Sequence, residues 1–153
     1  MLEFAEEFRG EGDDRLDALL DETEAFFELA DRFERDLDLP EDRVPMTHYL
    51  LFRDGRLVAM SRLRRRLIPV LLLDGGNIGY EVRRSERRRG YASEILRRTL
   101  DEARGIGLER VLLTTEVSNL GSIRVIENAG GVPDSDSISS RTGEHMCRFW
   151  IDL

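Results

Sequence analysis

Arg87-Arg88-Arg89-Gly90-Tyr91-Ala92 decides how this chain of 153 residues is read. A strand-like apolar run, Ile78-Gly79-Tyr80-Glu81-Val82, comes just before it, and a strongly amphipathic helical pattern follows. Strand, tight basic turn and helix is an order that aims backbone N–H groups at a phosphate. Gly90 lacks a Cβ, so a ligand can approach the backbone there. The helix opening at this point starts with unpaired N–H groups and a partial positive charge. Arginine forks match phosphate oxygens well. The bland alternative is a solvated basic turn before a surface helix. The stretch is not a Walker loop, because Gly-Lys-Ser/Thr is missing, nor a Gly-x-Gly-x-x-Gly dinucleotide fingerprint.

Downstream, Ala92, Ile95, Leu96, Thr99, Leu100 and Ala103 recur at helical spacing until Gly105 and Gly107. Val111-Leu112-Leu113-Thr114-Thr115 then reads as a strand of the kind buried on both faces in a parallel sheet. Together these predict a right-handed βαβ unit. After Asn119 comes a helix with Leu120, Ile123 and Ile126 inward, ended by Gly130-Gly131. Val132–Ser140 and Glu144–Ile151 read as a closing hairpin.

Upstream, Met46–Arg53 and Arg56–Leu63 are strands joined by the hairpin signal Asp54-Gly55. Ile68–Leu73 makes a helical turn or two, broken by Gly75-Gly76, before the central strand Asn77–Val82. Leu2–Phe8 looks helical. Asp13–Leu37 is helical with a break near Asp21–Glu24, Thr23 being a candidate N-cap. Its stripe of Leu16, Leu19, Leu20, Phe26, Phe27, Leu29, Ala30 and Phe33 predicts core packing.

The length suits one domain, 1–153. No apolar run approaches the ~20 residues of a membrane span, and the acidic N-terminus is unlike a signal peptide. The single cysteine, Cys147, has no internal disulfide partner, which implies a cytoplasmic protein; its strand-like setting suits a small buried apolar residue. A net charge of −8 argues against a general nucleic-acid binder. Two basic clusters, Arg62, Arg64, Arg65 and Arg66, and then Arg83 to Arg89, predict a basic mouth on an acidic body.

Arg87, Gly90 and Ala92 occupy the three marked places of a pattern that resembles the Gln/Arg-x-x-Gly-x-Gly/Ala signature of the GNAT acetyltransferases. The element order from Val44 to Leu153 resembles that family's core. Asn119-Leu120-Gly121-Ser122 is similar to its Asn-x-x-Ala/Ser placement. The resemblance implies an α/β (α+β) fold with a central mixed sheet of about six to seven strands flanked by helices, around a βαβ coenzyme-binding core. It implies acetyl-coenzyme A as donor, without a metal, and a small-molecule or peptide amine as acceptor. It puts the pyrophosphate on Arg87, Arg88, Arg89, Gly90, Tyr91 and Ala92, the pantetheine beside Asn119 and Ser122, and a donor at the Val82 backbone. In the family the N-terminal helices also wall the acceptor pocket. A coenzyme A-binding module without turnover is the alternative.

Three departures from the family matter. Ile126 stands where many members carry a tyrosine acid, so a mechanism based on positioning is expected, and Ile126→Tyr is expected to change little. Asn77 stands where the branch often has histidine. The usual first strand is weak, and the resulting open sheet edge favours a homodimer or a covering helix. For the proton on the amine, Glu81 is the first candidate, with an outward-facing strand glutamate paired to a neighbouring arginine as the bland reading. Glu116 and His145 follow as bases and Tyr80 as an acid, while His48 reads as a strand histidine satisfied by a hydrogen bond.

Overall fold

The computed structural model describes residues 2–9, 23–37, 39–40 and 43–153. Asp54-Gly55 closes β1 (Met46–Arg53) onto β2 (Arg56–Arg64), and β2 pairs antiparallel with β3 (Ile78–Val82). This first ladder runs β1-β2-β3. The second holds β4 (Arg110–Glu116) against β7 (His145–Asp152), which also pairs with the short β5 (Val132–Pro133) and β6 (Ser137–Ile138). The closing hairpin therefore has a broken first arm. Five helices are described: α1 (Leu2–Arg9), α2 (Thr23–Glu34), α3 (Pro69–Leu73), α4 (Tyr91–Gly105) and α5 (Leu120–Asn128).

The seven strands among the described residues make no continuous β3–β4 ladder. One residue bridges the gap. The Asn77 N–H donates to the Leu112 carbonyl at 2.7 Å, and its Oδ1 accepts from the Leu112 N–H at 2.9 Å. On the other side its carbonyl and Nδ2 bond the Arg64 backbone, at 2.7 and 3.1 Å. Asn77 thus stitches the two sheets at one end and leaves them to part beyond it. Gly76 makes this approach possible: a Cβ there would lie 2.2 Å from the Leu112 carbonyl oxygen, and its φ is +59°.

The core lies where α4 and α5 cover both ladders. Ile78, Leu96, Leu100, Val111, Leu113, Ile126, Phe149 and Ile151 are all buried there. The apolar run in β4 marked burial correctly, but its ladder partner β7 is antiparallel. α1 packs Phe4, Ala5 and Phe8 on Leu57 and Met60, on the opposite face of the first ladder. The predicted core stripe of α2 behaves differently. No described side chain of α2 is buried, and Phe27 and Leu29 are 42% and 48% exposed. Leu16, Leu19 and Leu20 lie outside the described residues. Among the described residues, no strand pairs with the outer edge of β1.

Candidate functional site

Backbone geometry at the wedge follows from two hydrogen bonds. Arg64 N–H donates to the Asn77 carbonyl at 2.7 Å, and Arg83 N–H donates to the Val58 carbonyl at 2.8 Å. In an antiparallel pair the bonded residues alternate, so 77, 79, 81 and 83 bond β2. The amides of Ile78, Tyr80 and Val82 therefore point to the opposite edge, into the gap facing β4.

From Val82 the chain passes through a 3₁₀ turn, Arg84–Glu86, to the basic stretch. Gly90 caps α4 with φ +85°, a conformation that disfavours any side chain, and a Cβ there would meet nothing within 4 Å. The helix start is thus open, with no side-chain cap over its first N–H groups. Arg87, Arg88 and Arg89 are exposed around it, and Tyr91 and Ala92 half-buried. Arg87 Nε donates to the Val82 carbonyl at 3.4 Å, and Arg89 pairs with Glu86 at 3.1 Å. A carboxylate in this first turn, Glu94, would repel an anion. It is matched by Arg53 at 2.5 Å and Arg98 at 2.8 Å, and the hydrogen bond from Arg53 chiefly lowers its pKa.

Asn119 caps α5, its Oδ1 accepting from the Ser122 N–H at 3.1 Å. That is a physical reason for the Asn-x-x-Ser spacing. Ser122 is half-buried, and its carbonyl lies 3.5 Å from the Tyr80 hydroxyl. Tyr80 shares the face of β3 turned to α4 and α5, and burial raises its pKa. Ile126, one turn on from Ser122, is 1% exposed, and a Cβ on Gly131 would stand 2.6 Å from its Cγ2. A tyrosine at 126 would overpack this corner, so the expectation of little change does not hold.

Glu81 faces the other way. It is 5% exposed and ion-paired with Arg62 across the ladder. The arginine partner is as the bland reading expects, but the side chain is buried where that reading has it facing outward. Beside it, Arg83 is 5% exposed and is held by Glu7 at 2.6 Å and Glu3 at 3.1 Å, both from α1. Arg64 donates to the Gly75 and Gly76 carbonyls at 3.1 and 3.2 Å, and burial, with Arg62 nearby, lowers its pKa to about 10. The two basic clusters are therefore not a single solvated mouth: Arg62, Arg64 and Arg83 serve the interior.

Glu116 sits exposed at the end of β4, on the same side of the sheets as Glu81 by strand alternation. It accepts a hydrogen bond from the Ser118 hydroxyl at 3.4 Å and lies beside Glu144, whose pKa the hydrogen bond to Glu116 raises. His145 is exposed at the start of β7. Cys147 is half-buried opposite Thr115, and burial followed by Asp136 raises its pKa. Among the residues the sequence undervalued is His48. Burial, with Arg62 and Arg64 adding repulsion, lowers its pKa to about 4, and its buried Nδ1 has no partner among the described residues. The expected hydrogen bond is missing at that atom.

The profile of the Acetyltransferase (GNAT) family matches residues 14–130. A comparison with curated proteins by sequence finds no match. Among solved structures, a ribosomal-protein-alanine N-acetyltransferase from Brucella melitensis superposes with TM-score 0.67 at 15% identity, over 88% of this chain and 80% of that one. An N-acetyltransferase from Staphylococcus aureus gives 0.62 at 18%, over 87% and 76%. A Salmonella typhimurium protein described as an acetyltransferase, solved with its cofactor acetyl-CoA, gives 0.62 at 15%, over 88% and 73%. At these identities the likeness is one of fold.

Proposed function

The chain belongs to the acetyltransferase (GNAT) family, and from that premise we propose that it moves an acetyl group from acetyl-coenzyme A to an amine. The observation that carries the reading is the continuity of the wedge with the anion-binding turn. Val82 turns its amide into the gap, and within eight residues the chain presents the open, Gly90-capped start of α4. The residues present fit the coenzyme. Arg87, Arg88 and Arg89 with the N–H groups after Gly90 would hold its pyrophosphate, and the amides of Tyr80 and Val82 its pantetheine arm. Asn119 and Ser122 stand at the adjoining helix start. When bound, the coenzyme supplies a thioester, whose acyl group is open to attack by a neutral amine.

The rest falls to side chains on the two faces of β3. Glu81, directly or through a water, takes the proton from the amine, and Arg62 keeps it in place. Tyr80 reaches from the opposite face. Burial favours its protonated form, so it is the acid available to the leaving thiolate, in a corner where Ile126 excludes a second tyrosine. Proton transfer of this kind contributes typically ~10²–10⁴-fold, and alignment of the reactants contributes more, with effective molarities of roughly 10⁵ M and above. Glu116, exposed at the end of its strand and lacking an arginine partner among the described residues, is the less suited base. The outer edge of β1, which no strand pairs among the described residues, would accept a second copy, which makes a homodimer the proposed assembly.

Thiol release from acetyl-coenzyme A with a panel of amines tests the proposal. Acetylated product identifies the enzyme. Saturable coenzyme binding by calorimetry with no thiol release from any amine would identify a binding module instead.

A further inference from the structure

Glu7 on α1 grips the stretch that leads into the turn at Arg87–Ala92. Its Oε2 accepts from the Ser85 N–H at 3.1 Å, and the Ser85 hydroxyl donates between its two oxygens, at 3.1 and 3.2 Å. We infer that Glu7 is a positioning residue for coenzyme binding: from α1 it fixes the entry to the turn, and the turn depends on it for its shape. This deepens the acetyltransferase reading and rests on it.

The turn is a shape that needs holding. Arg88 has φ +64° and Gly90 has φ +85°. A non-glycine residue at positive φ is strained, and such a conformation persists where its surroundings fix it. Ahead of it lies the 3₁₀ turn Arg84–Glu86, whose N-cap residue, Arg83, makes no side-chain cap. The first N–H groups of any helical turn lack backbone partners within it. Glu7 supplies the acceptor for one of them, Ser85, from 78 residues away. A carboxylate on a backbone N–H makes a charge-assisted bond. Burial works against the charge of Glu7, but the Ser85 N–H and then Arg83 outweigh it and lower the pKa.

The grip is firm because α1 is itself fixed. Phe4, Ala5 and Phe8 are buried against Leu57 and Met60. Arg83 Nε donates to Glu7 Oε1 at 2.6 Å and so aims the carboxylate. Phe8 makes a second contact with the turn. The Arg87 guanidinium lies 5.9 Å from its ring centroid, within reach of cation–π attraction. Two neighbouring residues of α1 thus meet the chain at Ser85 and at Arg87. Glu86 between them pairs with Arg89 at 3.1 Å. The aim of Arg87 and Arg89 therefore depends on a frame that α1 holds, and a site formed in advance binds more tightly than one ordered by its ligand.

The test separates holding the turn from holding the fold. Glu7 also balances buried Arg83, so the variants are made in the Arg83→Met background, which leaves no buried cation unmatched when Glu7 is changed. Coenzyme A affinity is measured by calorimetry, well below the melting temperature of each variant. Adding Glu7→Leu should weaken binding by about tenfold, the worth of a lost charge-assisted bond to the turn. Adding Glu7→Gln instead, whose amide oxygen still accepts from the Ser85 N–H, should keep affinity within about threefold of Arg83→Met alone. Equal affinity in the two double variants overturns the inference and leaves the acetyltransferase reading intact. Absence of coenzyme A binding by the native chain overturns that reading and the inference with it. If the double variant with Glu7→Leu does not fold, hydrogen exchange in the native chain decides. Coupling is reciprocal, so coenzyme A should slow exchange at the Ser85 amide and along Leu2–Arg9. Unchanged exchange there overturns the inference.

Discussion

The turn at Arg87–Ala92 and the layer made by Arg62, Glu81 and Arg83 carry charge in opposite ways along one strand and its exit. At the turn, three consecutive arginines are exposed and grouped by the chain itself. In the layer, every charge is buried or half-buried and is matched across long separations. Arg62 reaches Glu81 19 residues away, and Arg83 reaches Glu7 and Glu3 76 and 80 residues away. Exposed cations contribute little to folding, which leaves these three available to the coenzyme in the proposed function. Buried charges are costly to desolvate and survive only in pairs. The difference teaches that one arginine-rich sequence divides into an exposed group at the surface, proposed to hold the coenzyme, and a paired group that assembles a polar interior.

The sharpest way to break this contrast is Arg62→Met. With Arg62 gone, Glu81 loses its cross-strand cation in a buried site, and urea denaturation should show a loss of roughly 3–5 kcal/mol. Arg62→Met combined with Glu81→Gln should recover most of it. A loss below about 1 kcal/mol for the single variant would mean that the layer is as wet as the turn.

Gly90→Val tests the other side. Strain at a positive φ should cost about 1–2 kcal/mol of stability, while the side chain blocks the helix start. Coenzyme A affinity, measured by calorimetry, should fall by at least about a hundredfold, equivalent to roughly 3 kcal/mol. Unchanged affinity in the folded variant would place the coenzyme elsewhere.

Acid should distinguish the regions as well. His48 has a folded pKa of about 4, below its unfolded value of 6.5. The fold therefore favours the neutral ring. Its contribution is fully present above pH 6.5 and is lost as pH falls toward 4, on the order of 3 kcal/mol. Subtracting the stability–pH curve of His48→Leu from that of the native chain should isolate this step. A difference flat between pH 7 and 4 would show the site to be solvated.

Smallest are the single changes Arg88→Ala and Arg89→Ala. Each should weaken coenzyme binding only a few-fold, by an amount that shrinks with added salt, and leave the melting temperature nearly unchanged. A stability loss like that of Arg62→Met would erase the distinction.

The amino-acid sequence determined what depends on neighbours along the chain. The turn was legible because a strand end, three arginines, Gly90 and a helical period lie within one short span. Asn119 was legible as a helix start because the cap and its target are three residues apart. The hairpin at Asp54-Gly55 and the burial of Val111–Leu113 followed from turn chemistry and apolar runs. Only the tertiary structure decided which arginines are interior. Arg62, Arg64, Arg65 and Arg66 look alike in sequence, and their fates differ because Glu81 and the Gly75 and Gly76 carbonyls approach some and not others. The antiparallel partner of β4 was hidden for the same kind of reason, since an apolar run records burial and not strand direction. Asn77 read as a missing histidine, and became the stitch between two sheets once Leu112 stood beside it. Burial and pairing across a sheet depend on what covers each face, which no local stretch of sequence records.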